Sequence, residues 1–117
     1  MAAIERLICE SGAVEEGGDG VRFPVTTHWG EETGFVVRHE GAVRAFVNRC
    51  AHVPVELDWQ PGKFFDDSGR YLICATHGAL YEPATGYCLA GPCRGGRLPP
   101  LKAVERDGQV FLIEGDG

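Results

Sequence analysis

The feature that most constrains this chain is a pair of short motifs, Cys50-Ala51-His52 and Cys74-Ala75-Thr76-His77, separated by 21 residues. Each follows an apolar run that reads as a strand, Phe46-Val47-Asn48 before the first and Tyr71-Leu72-Ile73 before the second. Reactive side chains just past strand ends lie on loops held by a rigid scaffold, so a fold that uses both motifs must bring two loops face to face. A Cys-x-His step is too short for both members to grip one ion, as the Cys-x2-Cys and His-x3-His knuckles of structural zinc sites do. A binuclear iron cluster makes a different demand: each loop supplies a thiolate to one iron and an imidazole to the other, and the paired ligands diverge. On spacing alone, a zinc module and a set of buried cysteines with satisfied histidines stay open beside it.

The rest of the chain reads as an all-β scaffold for those loops. Its 117 residues suit one domain, expected to span residues 1–117. Glycine and proline fall between short apolar runs with no repeating period, which predicts strands joined by turns. The predicted strands are Ile4–Cys9, Val21–Thr27, Gly34–His39, Ala42–Asn48, Tyr71–Ala75, Ala79–Glu82, Leu101–Arg106 and Gln109–Ile113. Glu40-Gly41 and Asp107-Gly108 sit between apolar runs as two-residue hairpin turns. Glu15-Glu16-Gly17-Gly18-Asp19-Gly20 has no apolar group to bury and is expected to be a mobile connection or hairpin loop.

Charge narrows the function further. The formal net charge is -6, which disfavours binding to a nucleic-acid backbone. Residues 41–100 hold five acids and six bases while both flanks are acidic, so every candidate ligand lies in the near-neutral middle. The longest stretches without a charged side chain are 11 residues, Tyr71–Tyr81 and Pro83–Cys93, too short for a membrane-spanning helix. The opening Met-Ala-Ala-Ile-Glu-Arg-Leu has neither a basic start nor a long apolar run, and no export signal is expected. Five cysteines cannot all pair internally, which fits a reducing compartment; a cytoplasmic protein is the expectation.

Beyond the four Cys and His residues, the chain carries Asn48-Arg49-Cys50-Ala51-His52, then Leu72-Ile73-Cys74-Ala75-Thr76-His77-Gly78-Ala79-Leu80-Tyr81-Glu82. After these come the turn Pro83-Ala84-Thr85-Gly86 and Ala90-Gly91-Pro92 ahead of Leu98-Pro99-Pro100-Leu101. Over roughly residues 34–114 this set resembles the Rieske family of 2Fe-2S proteins. The resemblance implies an antiparallel β sandwich or partial barrel built from both chain ends, with a small cluster-binding lobe over about residues 48–93. It implies that Cys50 and Cys74 bind the buried iron, that His52 and His77 bind the iron nearest solvent, and that Gly91-Pro92 begins a proline loop covering the cluster. It further implies a soluble ferredoxin-like carrier that is not an enzyme on its own and that takes electrons from a reductase to an oxygenase. A small Rieske-like subunit, as in some nitrite reductases, is the alternative. The chain has too few histidines for the mononuclear iron centre of an oxygenase itself.

Departures from the pattern carry expectations of their own. Members of the family that oxidise quinols bridge their ligand loops with two further cysteines; those positions here are Val55 and Thr76, so that bridge is absent. Those members also place a serine and a tyrosine hydroxyl near the cluster. Here Ala79 stands at the first position and Tyr81 keeps the second. Fewer hydrogen bonds to sulfur predict a potential in the lower part of the roughly -150 to +300 mV Rieske range. Histidine-ligated iron also predicts a potential that falls at alkaline pH, as the bound imidazoles lose protons. The segment Pro61-Gly62-Lys63-Phe64-Phe65-Asp66-Asp67-Ser68-Gly69 reads as an insertion relative to many small ferredoxins of the family.

The remaining marked residues have plainer expectations. Cys9 and Cys88 read as small buried hydrophobes, and Cys93 as a thiol near the cluster, with a Cys88–Cys93 bridge the less favoured alternative. His28 and His39 are expected to be solvated, and Trp29 and Trp59 to be packing or surface residues. Arg49, Arg94 and Arg97 flank the loops; ordinary surface is the slightly favoured reading, and a basic rim steering an acidic partner the other.

Overall fold

The computed structural model describes residues 4–27, 30–49, 56–58, 60, 62–74, 78–91 and 95–114. Its strands are β1 (Ile4–Glu10), β2 (Val21–Thr27), β3 (Gly30–His39), β4 (Ala42–Val47), β5 (Leu72–Ile73), β6 (Leu80–Tyr81), β7 (Cys88–Ala90), β8 (Pro100–Leu101), β9 (Ala103–Arg106) and β10 (Gln109–Glu114). They form three antiparallel sheets with the orders β1-β10-β9, β2-β3-β4-β8 and β5-β6-β7. Among the described residues no helix is long and apolar enough to cross a membrane.

The expected hairpins are both present. Glu40 and Gly41 have φ of 52° and 78°, Asp107 and Gly108 of 54° and 74°, the left-handed pair that matches the twist of the flanking strands. Thus β3 turns into β4 and β9 into β10 with no spare residue. Pro24, which lacks an N–H, falls in β2 at the sheet's edge, where its missing donor costs no ladder bond.

The central sheet β2-β3-β4-β8 has a core on each face. Along β3 and β4, Phe35, Val37 and Phe46 belong to one buried cluster, Val36 and Ala45 to the other. Alternate residues on a strand point to opposite faces, so a run such as Phe35-Val36-Val37 must be apolar throughout when both faces are covered. The first core adds Leu57, Phe64, Leu72, Cys74, Ala79, Tyr81 and Leu98; it joins the central sheet to the small sheet β5-β6-β7. The second adds Val14, Phe23, Val25, Val110 and Leu112 and joins it to the sheet made from the two chain ends. Phe35 stacks on Phe64 with ring centroids 3.9 Å apart and planes within 11°, a contact worth about 0.5–1.5 kcal/mol beyond its buried area. Arg38 ties the two larger sheets together. Its guanidinium grips both carboxylate oxygens of Glu105 at 2.9 and 2.6 Å while its Nε donates to the Val14 carbonyl at 2.9 Å.

Several expectations need correction. The stretch predicted as one strand from Leu101 to Arg106 is two, because the chain passes at Lys102 from the central sheet, where β8 pairs with β4, to the terminal sheet, where β9 pairs with β10. Of the described part of the predicted strand Tyr71–Ala75, Leu72–Ile73 forms β5, and β7 was not foreseen, since three residues between Gly86 and Gly91 show no period. Residues 15–20 are anchored rather than mobile. Glu16 accepts the Glu40 and Gly41 amides at 2.8 Å each, Gly17 donates to the Arg38 carbonyl at 3.0 Å, and Gly20 donates to the Gly62 carbonyl at 2.8 Å. Hydrogen bonds, invisible to a hydropathy reading, hold that segment. His39 is not solvated: its side chain is 15% exposed, with Nε2 at 3.7 Å from Glu40 and 3.9 Å from Glu82. His28, Trp29 and Trp59 lie outside the described residues.

Candidate metal centre

Of the four residues that the sequence nominates, Cys74 is described, whereas Cys50, His52 and His77 lie outside the described residues. What the structure does show is how each loop is tied at its base. Cys74 directly follows β5, is fully buried, and is in no disulfide. Its N–H donates to the Ala79 carbonyl at 2.9 Å and its carbonyl accepts the Gly78 N–H at 2.7 Å. These two bonds close the second loop, so the backbone on both sides of residues 75–77 is held to one spot. Gly78, with φ of 71°, supplies the left-handed turn that this closure needs.

The first loop is closed by side chains. Asn48 and Asp58 are buried polar residues at its two ends. Asn48 Nδ2 donates to Asp58 Oδ1 at 2.8 Å, Asn48 Oδ1 accepts the Leu57 N–H at 2.7 Å, and Asp58 Oδ2 accepts the Gly62 N–H at 2.9 Å. Arg22 Nε stands 3.6 Å from Asp58 Oδ2 and so offsets the charge of a carboxylate with no exposure to solvent. This bracket was missed in the sequence. Asn48 sits beside the first motif but has no periodic or motif signal of its own, and its partner is ten residues away.

A third segment meets the second at close range. At Gly91, where φ is 99°, an added Cβ would stand 2.9 Å from the Ala79 Cα, so the start of the Gly91-Pro92 segment rests on the end of the second loop. Only glycine permits that approach. Leu57, at the base of the first loop, shares a core with Cys74, Ala79 and Tyr81, so the anchored ends of the two loops rise from a single apolar floor. Tyr81 is fully buried there, beside the equally buried methyl of Ala79. The segment read as an insertion belongs to the same floor through Phe64, which no surface insertion would bury.

The cysteines separate by chemistry. Cys9 lies in β1, half-buried against the second core rather than fully buried as expected, and that burial pushes its thiol above the ordinary range. Cys88 departs from expectation: it is half-buried and disulfide-bonded, so its sulfur is already committed, and its partner is not among the described residues. Cys74 is therefore the described cysteine that combines a sulfur outside any disulfide with a place at a loop base. Of the three arginines suspected of forming a rim, Arg49 pairs with Glu32 at 3.6 Å, Arg94 lies outside the described residues, and Arg97 stacks on Tyr87 at 4.3 Å.

A buried cysteine between two pinned loops on an all-β scaffold narrows the families to which this chain can belong. Comparison with known proteins says which. The model of the Rieske [2Fe-2S] domain matches residues 5–105. In solved structures, the ferredoxin of carbazole 1,9a-dioxygenase from Nocardioides aromaticivorans IC177 superposes with a TM-score of 0.74 at 19% identity, covering 98% of this chain and 100% of that one. The Sphingomonas yanoikuyae B1 ferredoxin gives 0.72 at 23% identity over 96% and 100%. A chain in the reduced complex between oxygenase and ferredoxin in carbazole 1,9a-dioxygenase gives 0.72 at 21% identity, and there the match spans 97% of this chain but 29% of the longer one. No curated protein sequence matches the chain. The chain belongs to the Rieske [2Fe-2S] family. The cofactor of that family is a 2Fe-2S cluster with two cysteine and two histidine ligands, which exchanges one electron. A buried cysteine outside any disulfide, at a closed loop base, has the chemistry that such a cluster needs of a donor.

Proposed function

We propose that this chain is a one-electron carrier in which Cys50 and Cys74 hold one iron, His52 and His77 hold the other, and the whole of residues 1–117 forms a single Rieske unit with its cluster lobe at about residues 48–93. Bound there, the cluster supplies a site that accepts and releases an electron without breaking a covalent bond. The protein's part is to hold the donors. The Asn48–Asp58 bracket and the closure of residues 74–79 fix the two loops. The apolar floor of Leu57, Ala79 and Tyr81 keeps water away from the inner side. Replacing two thiolates by neutral imidazoles makes the centre less negative, so an electron is added more easily than to an all-cysteine cluster.

The observation that carries this reading is the mutual coverage of whole chains. This molecule and the two ferredoxins superpose over 96–98% of this chain and 100% of theirs, which supports reading it as one unit of that kind. On that ground we place the chain between a reductase and an oxygenase-type partner, and its net charge of -6 speaks against a nucleic-acid ligand. The buried methyl of Ala79 supports a potential in the lower part of the family's range. The test is anaerobic purification followed by iron and sulfide analysis, the reduced-state electron paramagnetic resonance spectrum, and transfer of electrons from a reductase to a ring-hydroxylating oxygenase. Equal iron and sulfide with a histidine-ligated spectrum is expected, lost in Cys50→Ser and His77→Ala. A colourless, zinc-bearing protein would sink the proposal.

A further inference from the structure

Ten cationic side chains fall within the described residues, and six of them lie against a carboxylate: Arg6, Arg22, Arg38, Arg49, Lys63 and Arg106. The other four are Arg44, Arg70, Arg97 and Lys102. In a chain of net charge -6, where acids outnumber bases, four cations with no carboxylate beside them among the described residues are unexpected. Three of the four, Arg44, Arg97 and Lys102, line a single cleft of about 230 Å³, and no aspartate or glutamate lines it with them.

The cleft lies where the central sheet meets the cluster lobe. Its floor includes Phe46 and Leu101, paired strands of the sheet, and its other wall is the turn carrying Thr85. That turn is pressed home: an added Cβ at Gly86 would stand 2.7 Å from the Phe46 ring. Arg97 is held in place by stacking on Tyr87, and one guanidinium nitrogen donates to the Thr85 carbonyl at 2.7 Å. A guanidinium presents N–H groups in a planar fork suited to carboxylate and phosphate oxygens. Three unneutralised cations in one recess are what a polyvalent oxyanion offsets.

We propose that this cleft binds a small polyvalent oxyanion, a phosphate or a polycarboxylate, between Arg44, Arg97 and Lys102. The site is independent of the electron-carrier reading and would stand if that reading failed. It also runs against the overall field, since a net-acidic body repels anions, and binding must come from the local arrangement.

The experiment is titration of the full-length purified protein with sodium phosphate and, separately, sodium citrate, against sodium chloride at equal ionic strength. Heat of binding and thermal midpoint are both recorded. Saturable binding of at least one of the two oxyanions is expected, with a raised midpoint that chloride does not reproduce; the phosphate and citrate arms distinguish the two chemistries. Arg44→Gln and Lys102→Gln should each weaken it roughly ten-fold, the scale of one charge-assisted hydrogen bond. Lys102 is exposed, so its replacement tests the site even if the Arg44 variant folds poorly. Arg70→Gln removes an equally unneutralised cation outside the cleft and should change nothing. Phosphate and citrate acting no differently from chloride, or Arg70→Gln weakening binding as much as Lys102→Gln, would overturn the proposal.

Discussion

The buried bracket at the base of the first loop makes the sharpest demand on stability. In Asp58→Ala, the donors Asn48 Nδ2 and the Gly62 N–H lose acceptors at 2.8 and 2.9 Å, and both sit where water does not reach the lost carboxylate. An unmet buried donor costs about 1–3 kcal/mol, so two cost about 2–6 kcal/mol. Against this, the variant no longer desolvates a charge, a gain that the loss of Arg22 at 3.6 Å partly cancels. The net expectation is about 3 kcal/mol of lost stability. Unfolding entropy of about 2.1 cal/mol/K per residue over 117 residues converts this to a midpoint roughly 12 °C lower. Asp58→Asn keeps one acceptor oxygen and should lose about half as much. Asp19→Ala, which removes an exposed ion pair with Lys63 at 2.7 Å, serves as the surface comparison and should cost under about 1 kcal/mol. Urea unfolding followed by circular dichroism under anaerobic conditions measures all three, and visible absorption follows the cluster in parallel. If Asp58→Ala and Asp19→Ala shift the midpoint equally, the bracket is not what holds the loop.

Two further outcomes follow from the same geometry. Arg38 holds the Glu105 carboxyl down to about 2, so in the folded chain it stays charged where the unfolded chain, at an ordinary 4.5, takes up a proton. Its contribution to stability is complete above pH 4.5 and lost as the pH falls towards 2; Glu105→Gln should flatten the acid limb of a stability-versus-pH curve in that window, and an unchanged limb would refute the assignment. Gly91→Ala combines a left-handed φ of 99° with a 2.9 Å approach to the Ala79 backbone, whereas Gly95→Ala has a φ of 84° and open space around it. Strain of about 1–3 kcal/mol is expected at Gly91, with a changed reduction potential because the proline-loop base must move; equal, small effects at both glycines would show that the contact is unimportant.

The amino-acid sequence alone determined much of the local geometry and the family. Apolar runs between glycines and prolines placed most of the strands, Glu40-Gly41 and Asp107-Gly108 named the hairpins, and the two Cys/His motifs with their flanking residues carried the resemblance to the Rieske family, because each signal spans a few residues and obeys local sterics or ligand chemistry. Tertiary structure decided what those elements meet. That β3 is covered on both faces, that the chain changes sheets at Lys102, that Asp58 returns to Asn48, and that Arg44, Arg97 and Lys102 converge are relations between residues tens of positions apart or on different sheets. Buried hydrogen bonds and unneutralised charges leave no periodic trace, because their energy depends on which groups are brought together and shielded from water rather than on the order in which they occur.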